Sequence, residues 1–267
     1  MTDFHRHLYG CPWAIVPEKH RELCEQIKAF DTLVQDGDDE MTPGLLVFDG
    51  IAYIHVCGTM VPECNSIESE LFGLCSTRDV IDKVAQAQMS PDVEGILIIW
   101  DTPGGYTSGV PELARAVAES KKPLVNFVEG GMDSAGYWAG CSQTTYADEM
   151  ASVGSIGCYM AIYDYSKMFE MQGLKTVLIS TGANKGAGTP GTKLTEEQVQ
   201  HYADEVVGVV GAKFFEHVRT YRDIDESLMD GRSWLGERAL EFGLIDAVGS
   251  REDALNELIN LITQEVS

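Results

Sequence analysis

Short apolar runs alternate with stretches whose apolar residues follow helical spacing along most of this sequence. The runs "GILIIW" (95–100) and "PLVNFVE" (123–129) are typical of buried strands, while "TRDVIDKVAQAQ" (77–88) and "GVPELARAVAES" (109–120) are typical of helices. Repetition of strand, helix and strand requires right-handed crossovers between parallel strands. The alternation therefore predicts an α/β fold with a mainly parallel sheet.

The remaining segments predict how the chain is organised around that sheet. Asp49-Gly50 lies between two apolar runs and predicts a β-hairpin. Further elements are expected as a strand in "KTVLIS" (175–180), a long helix at 194–222, and a helix and short strand within 236–250. Residues 1–44 read as an N-terminal extension, made of a helix at Pro17–Phe30 and a polar linker. The main domain is expected at 45–267.

Charge and cysteine content limit the classes of partner and compartment. The 267 residues carry 42 acidic against 19 basic side chains, a formal net charge of −23 that repels phosphate backbones, so nucleic acid is not an expected partner. Seven cysteines without C-x-x-C spacing fit a reducing cytoplasm better than a disulfide framework or a zinc site. We see no signal peptide and no segment long enough to span a bilayer, so we expect a cytoplasmic protein without membrane contact.

The turn "WDTPGGYTSG" (100–109) follows one predicted strand and precedes a helix. In α/β sheets, ligands bind beyond the carboxyl ends of the strands. Gly104 and Gly105 allow close approach of the backbone, and their N–H groups could hold an anion or oxyanion. A plain turn without function remains the alternative. The glycine spacing matches neither a dinucleotide nor a phosphate-binding loop.

A second turn, "GGMDSAGYWAGCSQ" (130–143), also joins a predicted strand to a helix and contains Ser134. Two consecutive turns of this kind lie side by side at one sheet edge, which could place a serine beside N–H donors, as acyl transfer requires. Ser134 is therefore a candidate nucleophile, with a helix N-cap as the alternative role.

A nucleophilic serine needs a base, and the sequence offers no histidine near the two turns. None lies between His55 and His201, and the later ones fall on the long predicted helix. The alternative is a lysine made neutral by burial. The nearby candidates are Lys121, Lys122, Lys167, Lys175, Lys185 and Lys193. Lys185 lies in a glycine-rich loop directly after "KTVLIS", but the residues alone do not single it out.

Five segments together resemble the signal-peptide-peptidase A family of serine proteases, within the Clp protease/crotonase superfamily. "DTPGG" is similar to the family's D-S-P-G-G turn, and "MDSAGYWAG" is similar to its nucleophile segment. "ASVGSIGCYM", "GANKGAGTP" and "GERALEFGLIDAVGS" resemble its V-G-S-I-G strand, its base loop and its closing helix and strand. The match covers roughly 45–255, and its strength lies in the order of the five motifs.

The resemblance implies a β-β-α superhelix and a Ser–Lys dyad. Ser134 corresponds to the nucleophile, Lys185 to the general base, and Ser155 to the hydroxyl that orients the lysine. The backbone N–H groups of Gly105 and Ala135 correspond to the oxyanion hole. No cofactor and no metal are implied. Family members assemble into rings whose active sites are often completed by neighbouring subunits, so a homo-oligomer is expected.

One position departs from the family pattern, which usually has alanine immediately before the serine. This chain has Asp133 there. A carboxylate facing Lys185 would favour the lysine cation and raise its pKa. Either Asp133 points away from the lysine, or activity requires raised pH or assembly.

The opening "CPWAIVPEKHRELCEQI" resembles that of phage capsid-assembly proteases, which cleave scaffold, portal or coat proteins. The resemblance thus favours a phage prohead protease, acting in the host cytoplasm or within the procapsid. A soluble bacterial peptidase acting on signal peptides or oligopeptides is the alternative within the family. Outside it, a crotonase-type acyl-CoA enzyme and a non-catalytic structural protein on the same fold remain open.

Overall fold

The structure, a computed structural model, describes residues 13–16, 19, 22 and 44–265. The strands in these residues are β1 (Trp13–Ile15), β2 (Leu46–Phe48), β3 (Ile51–Cys57), β4 (Thr59–Val61), β5 (Leu74–Ser76), β6 (Gly95–Thr102), β7 (Gly104–Tyr106), β8 (Leu124–Asp133), β9 (Thr144–Ala147), β10 (Ser152–Gly154), β11 (Ser233–Leu235) and β12 (Ala247–Val248). The helices are α1 (Ser66–Phe72), α2 (Thr77–Met89), α3 (Val110–Ala118), α4 (Ala135–Gly140), α5 (Ser166–Met171), α6 (Glu196–Tyr202), α7 (Val209–Tyr221), α8 (Gly236–Glu241) and α9 (Arg251–Glu265). A π-helical turn, Ala203–Gly208, joins α6 to α7, and a 3₁₀ turn covers Glu226–Leu228.

The main sheet has the strand order β11-β10-β8-β6-β3-β2, with β9 also paired to β8 and β12 paired to β9. The pairings between β3, β6, β8 and β10 are parallel, and the edge strands β2 and β11 are antiparallel. The predicted mainly parallel α/β sheet is therefore confirmed. Asp49 and Gly50 form the turn between β2 and β3, as the sequence predicts.

The central strand β6 contributes side chains to two apolar layers, one on each face of the main sheet. Its successive side chains point to opposite faces of the sheet. Ile96, Ile98 and Trp100 pack in the cluster that includes the buried faces of α2 and α3. Leu97 and Ile99 pack on the other face with residues of α9. Burial on both faces produces the continuous apolar run of this strand.

A second, smaller sheet carries the glycine turn that follows β6. Its strand order is β1-β7-β4-β5, so β7 lies between β1 and β4. The residues of β1 were expected to belong to an N-terminal appendage, yet Trp13, Ala14 and Ile15 are buried in this sheet. Most of the helix predicted at Pro17–Phe30 lies outside the described residues.

One predicted strand is absent, and one predicted helix is interrupted. Residues 175–180 form no strand: this apolar segment stays exposed and pairs with no strand among the residues that the structure describes. The helix predicted at 77–88 is present as α2, and Ser76 caps it with a hydroxyl that accepts the Asp79 N–H. The long helix at 194–222 is present but contains the π-helical turn. Among the described residues, no helix combines the length and apolar character needed to cross a bilayer.

Candidate active site

Ser134 lies at a sharp turn between β8 and α4. Its φ of 55° and ψ of −111° are unusual for a residue with a side chain, and such conformations are held by surrounding structure, often at functional sites. The Ser134 N–H donates to Gly154 O, and Trp138 N–H donates to Ser134 O. The hydroxyl makes no helix-capping hydrogen bond and lies 3.4 Å from Gly157 O. Ser134 therefore occupies the N-cap position of α4, as one alternative predicts, but its hydroxyl does not cap the helix.

The glycine turn approaches Ser134 directly. A Cβ added to Gly104, whose φ is 93°, would lie 2.8 Å from Ser134 Cβ and 3.0 Å from Ala135 N, and would overlap Ala14 O. A Cβ on Gly105 would overlap Met60 O. Neither glycine can therefore carry a side chain without movement of the backbone around it. The two turns are adjacent, as the sequence predicts.

Thr102, which stands where the related motif has serine, keeps the same kind of hydroxyl at the end of β6. Its Oγ1 donates to Gly58 O at 2.7 Å and accepts the Gly104 N–H at 3.1 Å. The hydroxyl thereby ties the glycine turn to the end of β3. The threonine is consistent with a role in holding this turn.

The two backbone N–H groups expected to form an oxyanion hole belong to the two adjoining turns. Gly105 belongs to β7, while Ala135 is the first residue of α4, whose N–H has no acceptor within the helix. Ala135 N lies close to the glycine turn, as the distance from the Gly104 position indicates. This arrangement could stabilise a developing oxyanion.

Ser155 shares a cavity of about 600 Å³ with Ser134. Ser155 follows β10, has a φ of 50°, and donates its N–H to Arg232 O. Both serines are almost completely buried. The cavity wall also includes Ile156, Cys158, Gly211 and Phe215. Among the described residues, this lining is mostly apolar and includes no lysine or histidine.

Cys158 connects the cavity to the π-helical turn. Its Sγ lies 3.3 Å from Val207 O, to which the thiol donates. Burial raises the pKa of the Cys158 thiol, which favours the protonated, hydrogen-bonding form. Turns of this kind inside helices are frequent at functional sites. Here the turn places Val207 and Gly208 in the cavity wall.

Lys185 lies on an exposed loop and does not line the cavity that contains Ser134. Its N–H donates to Gly182 O. Thus the chain brings Ser134, Ser155 and the backbone of Ala135 together beside the glycine turn, but not Lys185. Of the other candidate lysines, Lys122 donates to Ala87 O and Ser90 O far from this cavity. Lys121, Lys167, Lys175 and Lys193 do not line it either.

The described histidines do not supply a base to Ser134. His55 lies on β3 and His201 on α6, and neither lines the cavity. His217 lies on α7 in a separate depression with Trp138 and Tyr221, where burial lowers its pKa. A serine–histidine pair is therefore absent from the described residues. These residues also contain no group of three or more potential metal ligands.

Asp133, directly before Ser134, forms a hydrogen-bonded link across three strands. The register aligns Asp133 on β8, Gly154 on β10 and Ser233 on β11. Since Gly154 has no side chain, the carboxylate reaches over it and accepts a hydrogen bond from Ser233 Oγ at 2.7 Å. Burial raises the pKa of the Asp133 carboxyl, and hydrogen bonds from Ser233 and Ser152 partly oppose this. The partners of the carboxylate are thus on β10 and β11, not on the Lys185 loop.

The profile of Peptidase family S49 matches residues 116–265. A putative protease of Methanocaldococcus jannaschii is 31% identical over 192 residues, which cover 69% of this chain and 61% of that protein. The chain belongs to peptidase family S49. The capsid assembly protease C of Escherichia phage lambda is 28% identical over 237 residues, covering 85% of this chain and 54% of that protein. A putative signal peptide peptidase SppA of Enterococcus faecium is 29% identical over 201 residues, covering 72% and 58%.

This S49 chain spans between 54% and 61% of the length of these three relatives. The family resemblance predicted from the motifs is confirmed. A solved enoyl-CoA hydratase/isomerase family member matches 83% of this chain and 75% of its own, with 14% identity and a TM-score of 0.41. That similarity is too low to carry an argument about function.

Two features of the S49 site escaped the sequence reasoning. Ile15 lines the cavity beside Ser134, although the sequence places the run "WAIV" (13–16) in the N-terminal extension. Its two β-branched residues could have indicated a strand, but not its partner. The bridge from Asp133 to Ser233 links residues that are far apart in the sequence, and no local pattern predicts it.

Proposed function

We propose that this chain is a serine endopeptidase that uses Ser134 as nucleophile and Lys185 as general base. The observation that carries the proposal is the position of Ser134. It stands at a strained turn, without a cap hydrogen bond, beside the glycine turn and in one cavity with Ser155. Membership of peptidase family S49 supports the reaction class.

In the proposed mechanism, neutral Lys185 takes the proton of Ser134 Oγ as the oxygen attacks a peptide carbonyl. The negative charge that develops on the carbonyl oxygen is stabilised by the N–H groups of Gly105 and Ala135. The lysine then protonates the leaving amine, and water hydrolyses the acyl-serine ester. Ser155 orients the lysine amine.

Assembly is part of this proposal, since Lys185 must come close to a Ser134 hydroxyl. A lysine acts as a general base only in its neutral form, and burial disfavours the charged form of an amine. The segment before the Lys185 loop exposes Met171, Val177 and Ile179, with 88%, 72% and 93% of their surface accessible. We propose that a homo-oligomer covers this apolar surface and brings Lys185 to a Ser134 cavity of the same or a neighbouring chain.

The proposed reaction implies that the substrates are proteins. Which proteins they are is inferred from sequence similarity alone. The match to the lambda capsid assembly protease covers 85% of this chain, and the head-tail preconnector protein GP5 of phage P21 matches 82%. We therefore propose cleavage of scaffold, portal or coat proteins during capsid assembly. Similarity to the Enterococcus faecium protein supports the alternative, a peptidase acting on signal peptides or oligopeptides.

The test is cleavage of an unfolded protein by the wild type beside Ser134→Ala and Lys185→Ala, with products identified by mass spectrometry. The proposal predicts cleavage by the wild type and loss in both variants. Lys175→Ala serves as the matched control, because it removes another exposed lysine from the same region. Activity that survives in Lys185→Ala would move the base elsewhere, and activity in Ser134→Ala would overturn the proposal.

A further inference from the structure

The strand β1 runs along the edge of the glycine turn. Its register pairs Ile15 with Gly104, Ala14 with Gly105 and Trp13 with Tyr106, in antiparallel orientation. Val16 N–H donates to Pro103 O at 2.9 Å. Hydrogen-bonded pairs alternate along an antiparallel ladder, so the next such pair joins Ala14 and Gly105. The Ala14 carbonyl therefore faces the Gly105 N–H, one of the two donors assigned to the oxyanion hole.

The other edge of β1 is also occupied. Trp13 N–H donates to Tyr159 O at 2.9 Å, and Tyr159 N–H donates to Trp13 O at 3.0 Å. The segment is thus inserted as a middle strand between β7 and the chain around Tyr159. Trp13, Ala14 and Ile15 are 1%, 0% and 2% exposed, so the insertion is complete.

The inserted strand reaches the nucleophile. A Cβ placed on Gly104 would overlap Ala14 O and lie 2.8 Å from Ser134 Cβ. The Ala14 carbonyl and the Ser134 side chain therefore lie next to the same side of Gly104. Ile15 lines the cavity that contains Ser134 and Ser155. The strand therefore presents its Ala14–Ile15 peptide bond towards the Ser134 side of the cleft.

We propose that residues 13–16 occupy the cleft in the position of a peptide substrate and so inhibit the enzyme from within the chain. This inference rests on the proposed function of Ser134. A substrate carbonyl must contact the Gly105 N–H, and an extended peptide gains its backbone hydrogen bonds by adding a strand to β7. Both positions are held by β1. A polypeptide can bind only after β1 has left, so the fraction of chains with a vacant cleft limits the apparent affinity.

The register also defines the substrate that fits the vacant cleft. Ala14, whose carbonyl faces Gly105, has almost no space around it and is fully buried. Trp13 precedes it and packs edge-on against Tyr106, with ring centroids 5.3 Å apart. A matching substrate is an extended segment with a small residue at the carbonyl position and a large aromatic residue before it.

The first test uses the wild-type chain and a peptide aldehyde with the sequence of residues 12–14, Pro-Trp-Ala, which forms a hemiacetal with a nucleophilic serine. Hydrogen exchange is measured by mass spectrometry before and after the aldehyde binds. The proposal predicts that exchange of residues 13–16 rises on binding while residues 104–106 stay protected. Aldehyde bound at Ser134 with residues 13–16 still protected would overturn the proposal.

The second test releases the strand by substitution in the full-length chain. Ala14→Pro removes an N–H donor of the ladder, and Ile15→Asp places a carboxylate in the apolar cavity wall. Both should raise the rate at which a fluorophosphonate labels the protein, by about tenfold or more, as expected when the competent fraction rises. Leu46→Asp on the exposed edge strand β2 is the control for an added charge. Equal labelling rates, with residues 13–16 exchanging freely in the variants, would contradict the inference.

A binding measurement separates this inference from the proposed catalysis. A fluorescent peptide of residues 9–19 is titrated onto Ser134→Ala chains with and without Ile15→Asp, and anisotropy reports binding. Tighter binding to the released chain supports occupancy of the cleft even if Ser134 proves unreactive in every other assay. Equal binding to both chains would contradict it. Cleavage of the wild type between Ala14 and Ile15, absent in Ser134→Ala, would support the register independently.

Discussion

At the residue scale, the site depends on positions where a side chain is unusual or missing. Ser134 and Ser155 have positive φ values, and Gly104 has a φ of 93° with no space for a Cβ. Such conformations cost free energy and persist only where the surrounding structure enforces them. The hydrogen bonds from Ser134 N–H to Gly154 O and from Ser155 N–H to Arg232 O provide that enforcement.

Gly104→Ala should reduce peptidase activity by about 100-fold or more, because a Cβ would push the glycine turn away from Ser134 and misalign an oxyanion donor. The rate of hydrolysis of a chromogenic peptide measures the effect. Gly44→Ala is the matched control, since nothing lies within 4 Å of its added Cβ. Activity of Gly104→Ala within threefold of the control would contradict the assigned role of this turn.

Asp133 predicts a pH dependence of stability. Burial raises the pKa of its carboxyl, so the folded chain binds the proton more tightly than the unfolded chain does. This residue's contribution to stability is therefore greatest below the unfolded pKa of about 4 and falls as the pH rises through the folded value. Asp133→Asn keeps an oxygen acceptor for Ser233 and has no proton to lose.

The unfolding free energies of the wild type and Asp133→Asn, measured in urea from pH 3.5 to pH 8, should therefore diverge with rising pH. The variant should be relatively more stable at the upper end. Asp101→Asn provides the control at an exposed carboxylate near the same sheet edge. Parallel profiles for the wild type and Asp133→Asn would show that the burial of this carboxyl has no influence on folding.

At the element scale, the sequence predicts those strands and helices that need only an apolar layer to pack against, whichever residues form that layer. The strand β6 and the helices α2 and α3 follow from periodicity, because any neighbouring apolar layer satisfies them. The segment 175–180 also has a strand pattern, yet it forms no strand, since pairing requires a specific neighbour and the described part of the chain places none beside it. The same limit hides β1, whose partner β7 lies about ninety residues later in the chain.

The candidate site also contains residues that the sequence predicts and one, the base, that it does not. Ser134 and the glycine turn could be predicted from two turns after two strands, because parallel strands end at one sheet edge. The base could not be predicted from the residues alone. Lys185 entered through the family motif, and it stays a prediction because its loop lies outside the Ser134 cavity. The π-helical turn that shapes the cavity wall has no recognised sequence signal.

A buried amide joins the elements that support the active-site turn. Asn126 on β8 accepts a hydrogen bond from Trp100 Nε1 at 2.8 Å and donates to Gly140 O at 2.8 Å and to Thr145 Oγ1 at 3.2 Å. Asn126→Ala leaves these partners unsatisfied in a fully buried place, at about 1–3 kcal/mol for each group. We expect a loss of at least about 2 kcal/mol in the free energy of unfolding.

Urea denaturation of Asn126→Ala measures this loss, with Asn184→Ala on the exposed loop as the control. A loss below about 0.5 kcal/mol, which is typical of neutral surface substitutions, would mean that the network does not hold β8 and α4 together.

At the scale of the whole molecule, Ser134 lies in a defined cavity, whereas Lys185, its proposed base, lies on an exposed loop outside that cavity. The apolar surface of residues 171–179 lies next to the Lys185 loop in the sequence, and both are exposed. A homo-oligomer would cover the surface and complete the site in one step. Activity should therefore depend on assembly, with specific activity rising across the concentration range in which light scattering detects the oligomer.

Mixing two inactive variants tests whether a neighbouring chain supplies the lysine. Ser134→Ala and Lys185→Ala chains, dissociated and reassembled in equal amounts, should recover about a quarter of the wild-type activity if sites form between chains at random. Recovery of none would place both groups of each site in one chain. A monomer with full activity would contradict the role of assembly altogether.

The most direct measurement of the central claim is the site of covalent attachment of a fluorophosphonate, read by tandem mass spectrometry after proteolytic digestion. We expect a single adduct on Ser134 in the assembled wild type, strongly reduced in Lys185→Ala and unchanged in Lys175→Ala. An adduct on another serine, or labelling of Ser134 that does not depend on Lys185, would contradict it.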